Sequence, residues 1–167
     1  MANENTTYVL YLIERAQSGV RNAFFDLCEI NIHNVFNIVY RLMANYEKAK
    51  SITLEVFFHS LENIKEFDVN TSFLLWIKDL AIKHSIFDLQ RDGLNNSYKT
   101  IEKPSSDPHQ LLDQLILSLP DEERIVVVLH DVEDYTYDEI KNYLPELSFD
   151  EIKSKLINAR EFMISKT

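Results

Sequence analysis

Glycine is almost absent from this sequence: Gly19 and Gly93 are the only two in 167 residues, and proline is nearly as scarce with four. Sheets joined by tight turns draw on glycine for positive φ, whereas helices lose nothing by its absence. Scarcity of both breakers argues against a hairpin-rich β protein and for an all-α chain. The single cysteine, Cys28, excludes a disulfide within the chain. Its place in an apolar-periodic stretch reads as a small packed side chain, not a nucleophile. No run approaches the ~20 apolar residues that a bilayer span needs. Residues 8–13 are apolar but end at Glu14 and Arg15, too short for the core of a signal peptide, so the expected location is the cytoplasm and no membrane association is expected. Basic charge is also in short supply, with 17 Lys and Arg against 27 Asp and Glu, a net charge of -10. Nucleic acid is a polyanion, so an acidic chain binds it only through a locally basic patch, and an acidic face more readily meets a basic protein.

What is abundant is apolar side chain, 46% of the total, ample for a core. The densest cluster of breakers and polar residues is residues 91–108, RDGLNNSYKTIEKPSSDP, which reads as a linker. It separates residues 1–92 from residues 109–167, with the linker proper at 93–108. The charge divides unevenly: residues 1–92 carry 9 basic and 12 acidic side chains, residues 107–167 carry 6 and 14. There is no internal repeat.

The longer half reads as a bundle of four or five amphipathic helices. Tyr8, Tyr11 and Leu12 begin one, and a second runs over about residues 20–29. A third carries Val35, Ile38, Val39 and Leu42, apolar at i, i+3, i+4 and i+7. Ile52, Val56, Phe57 and Leu61 repeat the pattern, as do Phe73, Trp76, Ile77 and Leu80. In the shorter half, Ser118, Leu119, Pro120 and Asp121 mark a helix start. Thr136 with Glu139 and Ser148 with Glu151 are two capping boxes. The second opens a helix with Ile152, Leu156, Ala159 and Met163 on one face. The β-branched run 125–129 reads as buried helix, because helices flank it and no partner strand is evident. Two short capped helices a few residues apart make a helix-turn-helix.

Several segments together resemble the extracytoplasmic-function (ECF) sigma factors of RNA polymerase. GVRNAF at 19–24 and VFNIVYRLMANYEKA at 35–49 resemble the sigma-2 domain; LEVF at 54–57 resembles its Gln-Glu-Val-Phe and SFLLWI at 72–77 its Ser-Phe-x-x-Trp-Leu. Leu119 and Pro120, then YTYDEI at 135–140, IKSKL at 152–156, and Ala159 with Arg160, are similar to the sigma-4 domain. No single motif is specific; the ordered set is. The resemblance implies a sigma-2-like bundle that docks on RNA polymerase core and melts the promoter −10 element, and a sigma-4-like helix-turn-helix that reads the −35 element. It implies no enzyme active site, no cofactor and no small-molecule substrate. An anti-sigma factor is a further expected partner.

Carried over residue by residue, the resemblance places polymerase contacts at Ser51, Leu54, Glu55, Phe57 and Phe58. It places −10-side DNA contacts at Asn70, Thr71, Ser72, Trp76, Lys83 and Arg91, and −35-side contacts at Ser148, Asp150, Glu151, Lys153, Ser154, Lys155 and Arg160. The chain departs from the family pattern at Ser51 and Leu54, which replace Asp and Gln. Asp79 opposes phosphate on the −10 side. Asp150 and Glu151 replace small or hydroxyl residues at the start of the recognition helix, and Pro145 with Glu146 replaces the tight glycine turn. Those acids stabilise the helix dipole but face the groove unfavourably. A second reading is therefore a sigma-like protein that binds a protein partner without reading DNA. A third takes His130 and Asp131 as the start of a metal-dependent hydrolase site, but His33, His59, His84 and His109 lack the spacing of further ligands, so no metal is expected. Tyr135, Tyr137 and Tyr143 are candidates for a protein-contact patch.

Overall fold

The computed structural model describes residues 6–167, and among them every regular element is helical. Eight α-helices follow in order: α1 (Thr7–Gln17), α2 (Arg21–Met43), α3 (Tyr46–Asn63), α4 (Phe73–Asp92), α5 (Pro108–Ser118), α6 (Asp121–Val127), α7 (Tyr137–Tyr143) and α8 (Phe149–Ile164). A 3-10 turn at Ile64–Glu66 follows α3 and a π-helical turn at Val128–Val132 extends α6. The chain forms two compact units, Met1–Tyr40 with Tyr46–His84, and Arg41–Asn45 with Ser85–Thr167.

In the first unit, Thr6 caps α1 by accepting from the Val9 N–H, and Gly19 ends it. Gly19 adopts φ 94°, its N–H returns to the Ala16 carbonyl, and the Val20 N–H returns to Arg15. A Cβ would be strained at that φ, which accounts for one of the two glycines. The tyrosines of α1 are placed differently from the sequence expectation. Tyr8 and Tyr11 are more than half exposed, and the buried stripe is Leu12, Ile13 and Ala16. Tyrosine tolerates an aqueous face, so its periodicity alone does not identify the core side.

The segments expected as two helices at 20–29 and 35–42 are one helix, α2. Residues 30–34 interrupt the apolar period but contain no breaker, and the buried Asn31 bonds the Leu27 carbonyl one turn back at 2.7 Å. Val35, Ile38, Val39 and Leu42 are wholly buried, as their spacing predicts, and Ile52, Val56, Phe57, Phe73 and Ile77 join the core. Gln17 ties α1 to the turn after α3 by donating to the carbonyls of Ile64 (3.0 Å) and Phe67 (2.8 Å).

Thr53 is 3% exposed, and its hydroxyl has no hydrogen-bond partner. A desolvated, unpaired hydroxyl costs on the order of 1–3 kcal/mol, so Thr53→Val should stabilise the chain by about 1 kcal/mol. A urea midpoint lower than the parent's would show that the hydroxyl does bond in solution.

In the second unit, both capping boxes form as the sequence indicates. Thr136 and Glu139 exchange side-chain bonds to each other's backbone, as do Ser148 and Glu151. Residues 125–129 are helical and buried. Sequence reading missed α5, whose signal is Asp107 followed by Pro108: Asp107 accepts from the Gln110 N–H at 2.9 Å, and proline fits the first turn. The stretch after α4 is non-helical yet pinned. The Asn95 N–H donates to Asp121 at 2.7 Å, the Lys99 N–H to the Ser118 carbonyl at 2.7 Å, and Tyr98 stacks on Phe162 with centroids 4.2 Å apart.

Arg124 organises this unit. It is wholly buried, and its guanidinium donates to the Leu42 carbonyl (2.9 Å), the Leu119 carbonyl (2.8 Å) and Asp121 (2.5 Å). Burial pushes its pKa down, and the Asp121 carboxylate pushes it back up. Asp121 is itself 6% exposed.

Candidate functional site

α3 presents the candidate docking face. Its buried stripe includes Ile52, Val56 and Phe57, so the residues between point outward. Ser51 is exposed and donates to Glu55 at 3.2 Å. Leu54 and Phe58 are 53% and 65% exposed, an apolar pair one turn apart with Glu55 between them. Phe57 is 6% exposed and belongs to the core. Of the five docking candidates, it is the one whose ring is taken up inside the protein.

The loop before α4 is built on Asp68. Its carboxylate accepts from both the backbone and the side-chain N–H of Asn70 at 2.9 Å, and its carbonyl accepts from the Thr71 hydroxyl at 2.8 Å. Ser72 caps α4 through the Leu75 N–H at 3.4 Å. Trp76 is half-buried against Phe67 and Phe73, with centroids 5.0 and 5.7 Å away. An aromatic in such a cluster anchors the packing of the loop against α4. Lys83 pairs with Asp79 at 2.6 Å. Arg91 pairs with Asp88 and, at 3.1 Å, with Asp92; the bonds to both carboxylates raise its pKa.

The helix-turn-helix places α8 across α6 with Ile152, Leu156 and Ala159 buried. The spacing i, i+4, i+7 turns Asp150, Glu151, Lys153 and Ser154 outward. Glu151 is held by the capping box: its carboxylate accepts from the Ser148 N–H at 2.7 Å, and the Ser148 hydroxyl accepts from the Glu151 N–H at 3.2 Å. These bonds hold the Glu151 carboxyl below its usual range. The cations of α8 are mostly engaged within the molecule. Lys155 pairs with Glu122 at 2.5 Å, both largely buried. Arg160 grips Asp131 with two bonds, 2.9 and 2.5 Å. Lys153 sits 5.9 Å over the Tyr137 ring, which stacks on His130, which in turn bonds Asp131 at 2.7 Å. Burial raises the Asp131 carboxyl, but the bonds and charges of Arg160 and His130 outweigh it and hold it below its usual range.

His130 and Asp131, weighed above as the start of a metal site, are instead the anchor of Arg160. Glu122, in the first turn of α6, is the partner of Lys155. The signal for both lies in spatial proximity across about thirty residues of chain, which spacing along one helix does not report. Tyr135 and Tyr143 pack edge to face at 5.8 Å, and all three tyrosines of the expected patch are half-buried.

The helical bundle followed by a helix-turn-helix is a sigma-factor-like layout. The family model for sigma-70 region 4 matches residues 109–140, ending inside α7 and before α8. Over its length the chain is 25% identical to the ECF RNA polymerase sigma factor SigW of Bacillus subtilis, covering 89% of this chain and 91% of that one. It is 22% identical to the RNA polymerase sigma-H factor of Pseudomonas aeruginosa, covering 90% and 89%. Its fold matches CnrH, solved in complex with the cytosolic domain of CnrY, with a TM-score of 0.59, 17% identity, and coverage of 95% and 96%. It also matches the sigma factor RpoE of Bartonella quintana, solved with the anti-sigma factor NepR, with a TM-score of 0.58, 12% identity, and coverage of 84% and 93%. The chain is thus similar to ECF RNA polymerase sigma factors along most of its length. No helix among the described residues is long and apolar enough to cross a membrane.

Proposed function

We infer that this protein is an ECF-type sigma factor that directs RNA polymerase core to promoters in transcription initiation. The observation that carries the reading is similarity to sigma factors along nine-tenths of the chain. The reading in which the protein no longer reads DNA is not favoured by these relatives. Sigma factors as a class are regulators, and on this reading the chain has no catalytic centre and works in the cytoplasm, where core polymerase and promoter are.

In the same proposal, residues 1–92 act as the sigma-2-like part, 93–108 as the connection, and 109–167 as the sigma-4-like part. Leu54, Glu55 and Phe58 offer core polymerase an apolar face with one charge, with Ser51 beside them. The Asn70–Thr71–Ser72 loop and Trp76 serve the −10 side, and α8 serves the −35 side. An anti-sigma factor is a partner by analogy with the RpoE–NepR complex. Lys83, Arg91 and Arg160 have intramolecular carboxylate partners at the surface. Exposed pairs are worth little, so phosphate displaces those carboxylates at small cost. The largely buried Lys155 gives up Glu122 less readily, so Lys153 is the recognition-helix cation freest to meet DNA.

The test is assembly of the purified chain with core polymerase, followed by titration against promoter-length DNA at two salt concentrations. Tight core binding and sequence-selective, salt-sensitive DNA binding by the holoenzyme are expected. Core binding without any selectivity among DNA sequences would sink the reading.

A further inference from the structure

α3 and α4 each carry one histidine on a shared edge of the first unit. His59 Nδ1 and His84 Nε2 lie 3.3 Å apart, with ring centroids at 5.4 Å and planes tilted by 50°. Two imidazoles whose nitrogens face each other in this way either share one proton or share one cation. At 3.3 Å the pair is a long hydrogen bond when one ring carries the shared proton. The separation equals the bite of two imidazoles on one tetrahedral ion: at a metal–nitrogen distance of about 2.0–2.1 Å, the two nitrogens stand about 3.3 Å apart.

The surroundings favour the same state. Glu55, one turn before His59 on α3, sets a negative charge near His84, which favours a cation at this edge. Among the described residues no group of three or more His, Cys, Asp and Glu side chains is placed to hold a metal ion. Among the described residues the two imidazoles are therefore the ligands, and solvent would complete the coordination of a bound ion.

We propose that His59 and His84 form a two-imidazole binding site for a divalent ion of the zinc, nickel and copper class, bridging α3 and α4. Imidazole suits these borderline ions rather than Mg2+ or Ca2+. The site stands apart from the transcriptional reading and does not depend on it. Phe58, the neighbour of His59 in the chain, lies on the candidate docking face, so an ion here stiffens the helix that carries that face.

The test uses the metal-free full-length chain titrated calorimetrically with Zn2+ alone. One ion per chain is expected. His59→Gln and His84→Gln should each weaken binding ~tenfold or more, since loss of even an outer-shell partner costs 10–100-fold. His109→Gln should leave binding unchanged. Far-UV circular dichroism checks that the variants fold. A second measurement needs no variant: trace Cu2+ added to the parent chain should broaden the ring proton signals of His59 and His84 first. Equal Zn2+ affinity in the parent and both variants, or Cu2+ broadening spread evenly over all five histidines, would overturn the proposal.

Discussion

Replacing Arg124 by methionine should destabilise the protein by about 3–5 kcal/mol, the usual cost of removing one partner from a buried ion pair. The guanidinium is wholly buried and serves three acceptors, the carbonyls of Leu42 and Leu119 and the Asp121 carboxylate. Methionine fills much of the volume but offers no donor. Two buried carbonyls lose a bond each, and Asp121, 6% exposed, is left as a buried charge without its counter-ion. The carboxylate dominates the loss, because an uncompensated charge costs more than an unmade neutral bond. The double variant Arg124→Met with Asp121→Asn should therefore recover part of the stability. Asparagine removes the charge while its oxygen still accepts from the Asn95 N–H, which the carboxylate meets at 2.7 Å. Urea unfolding of the parent, the single and the double variant measures both quantities. A single-variant loss below about 1 kcal/mol, a size typical of one neutral hydrogen bond, would show that the buried pair does not organise the unit.

Asp150→Asn combined with Glu151→Gln should tighten promoter binding by the holoenzyme about tenfold at low salt, and by less as salt rises. Both carboxylates lie in the first turn of α8, the turn that a recognition helix sets against the major groove. On the proposed reading they repel phosphate there, and Lys155, held by Glu122, compensates little. The choice of glutamine matters. Glu151 accepts from the Ser148 N–H at 2.7 Å, and glutamine keeps that bond while losing the charge. Threonine at this position would break the capping box and mix a folding defect into the binding result. Lys153→Gln should act in the opposite direction, lowering affinity and making its salt dependence shallower. Fluorescence anisotropy with a labelled promoter fragment reads both. An affinity unchanged by the double substitution at low salt would mean that the first turn of α8 does not face the DNA.

Much of the fold was legible before any coordinates. The two capping boxes at Thr136 and Ser148 are short-range devices, complete within four residues, and both form. The stripe Val35, Ile38, Val39 and Leu42 is a property of one helix and is wholly buried. Reading failed where the deciding contact is distant or the signal two-sided. The Tyr8 and Tyr11 stripe has helical spacing, yet its rings lie on the wet side of α1. The interruption at 30–34 looked like a boundary because polar residues broke the period, but buried Asn31 satisfies itself on the preceding turn and the helix continues.

The candidate site divides in the same way. The chain order of the candidate docking helix, the loop before Trp76 and the helix-turn-helix was available from residues alone, because each is a local pattern. The charges on α8 were visible as a conflict between acids and cations. What each cation does was not visible. Lys155 and Arg160 find Glu122 and Asp131, which are separated from them by about thirty residues, and His59 finds His84 across two helices. The sequence by itself determined the helices, their caps and most of their buried faces, because those follow from interactions over three or four residues. Only the tertiary structure decided which charges are already neutralised and which histidines meet. Coulombic and hydrogen-bonded pairing depends on distances of a few ångströms, and chain separation does not encode them.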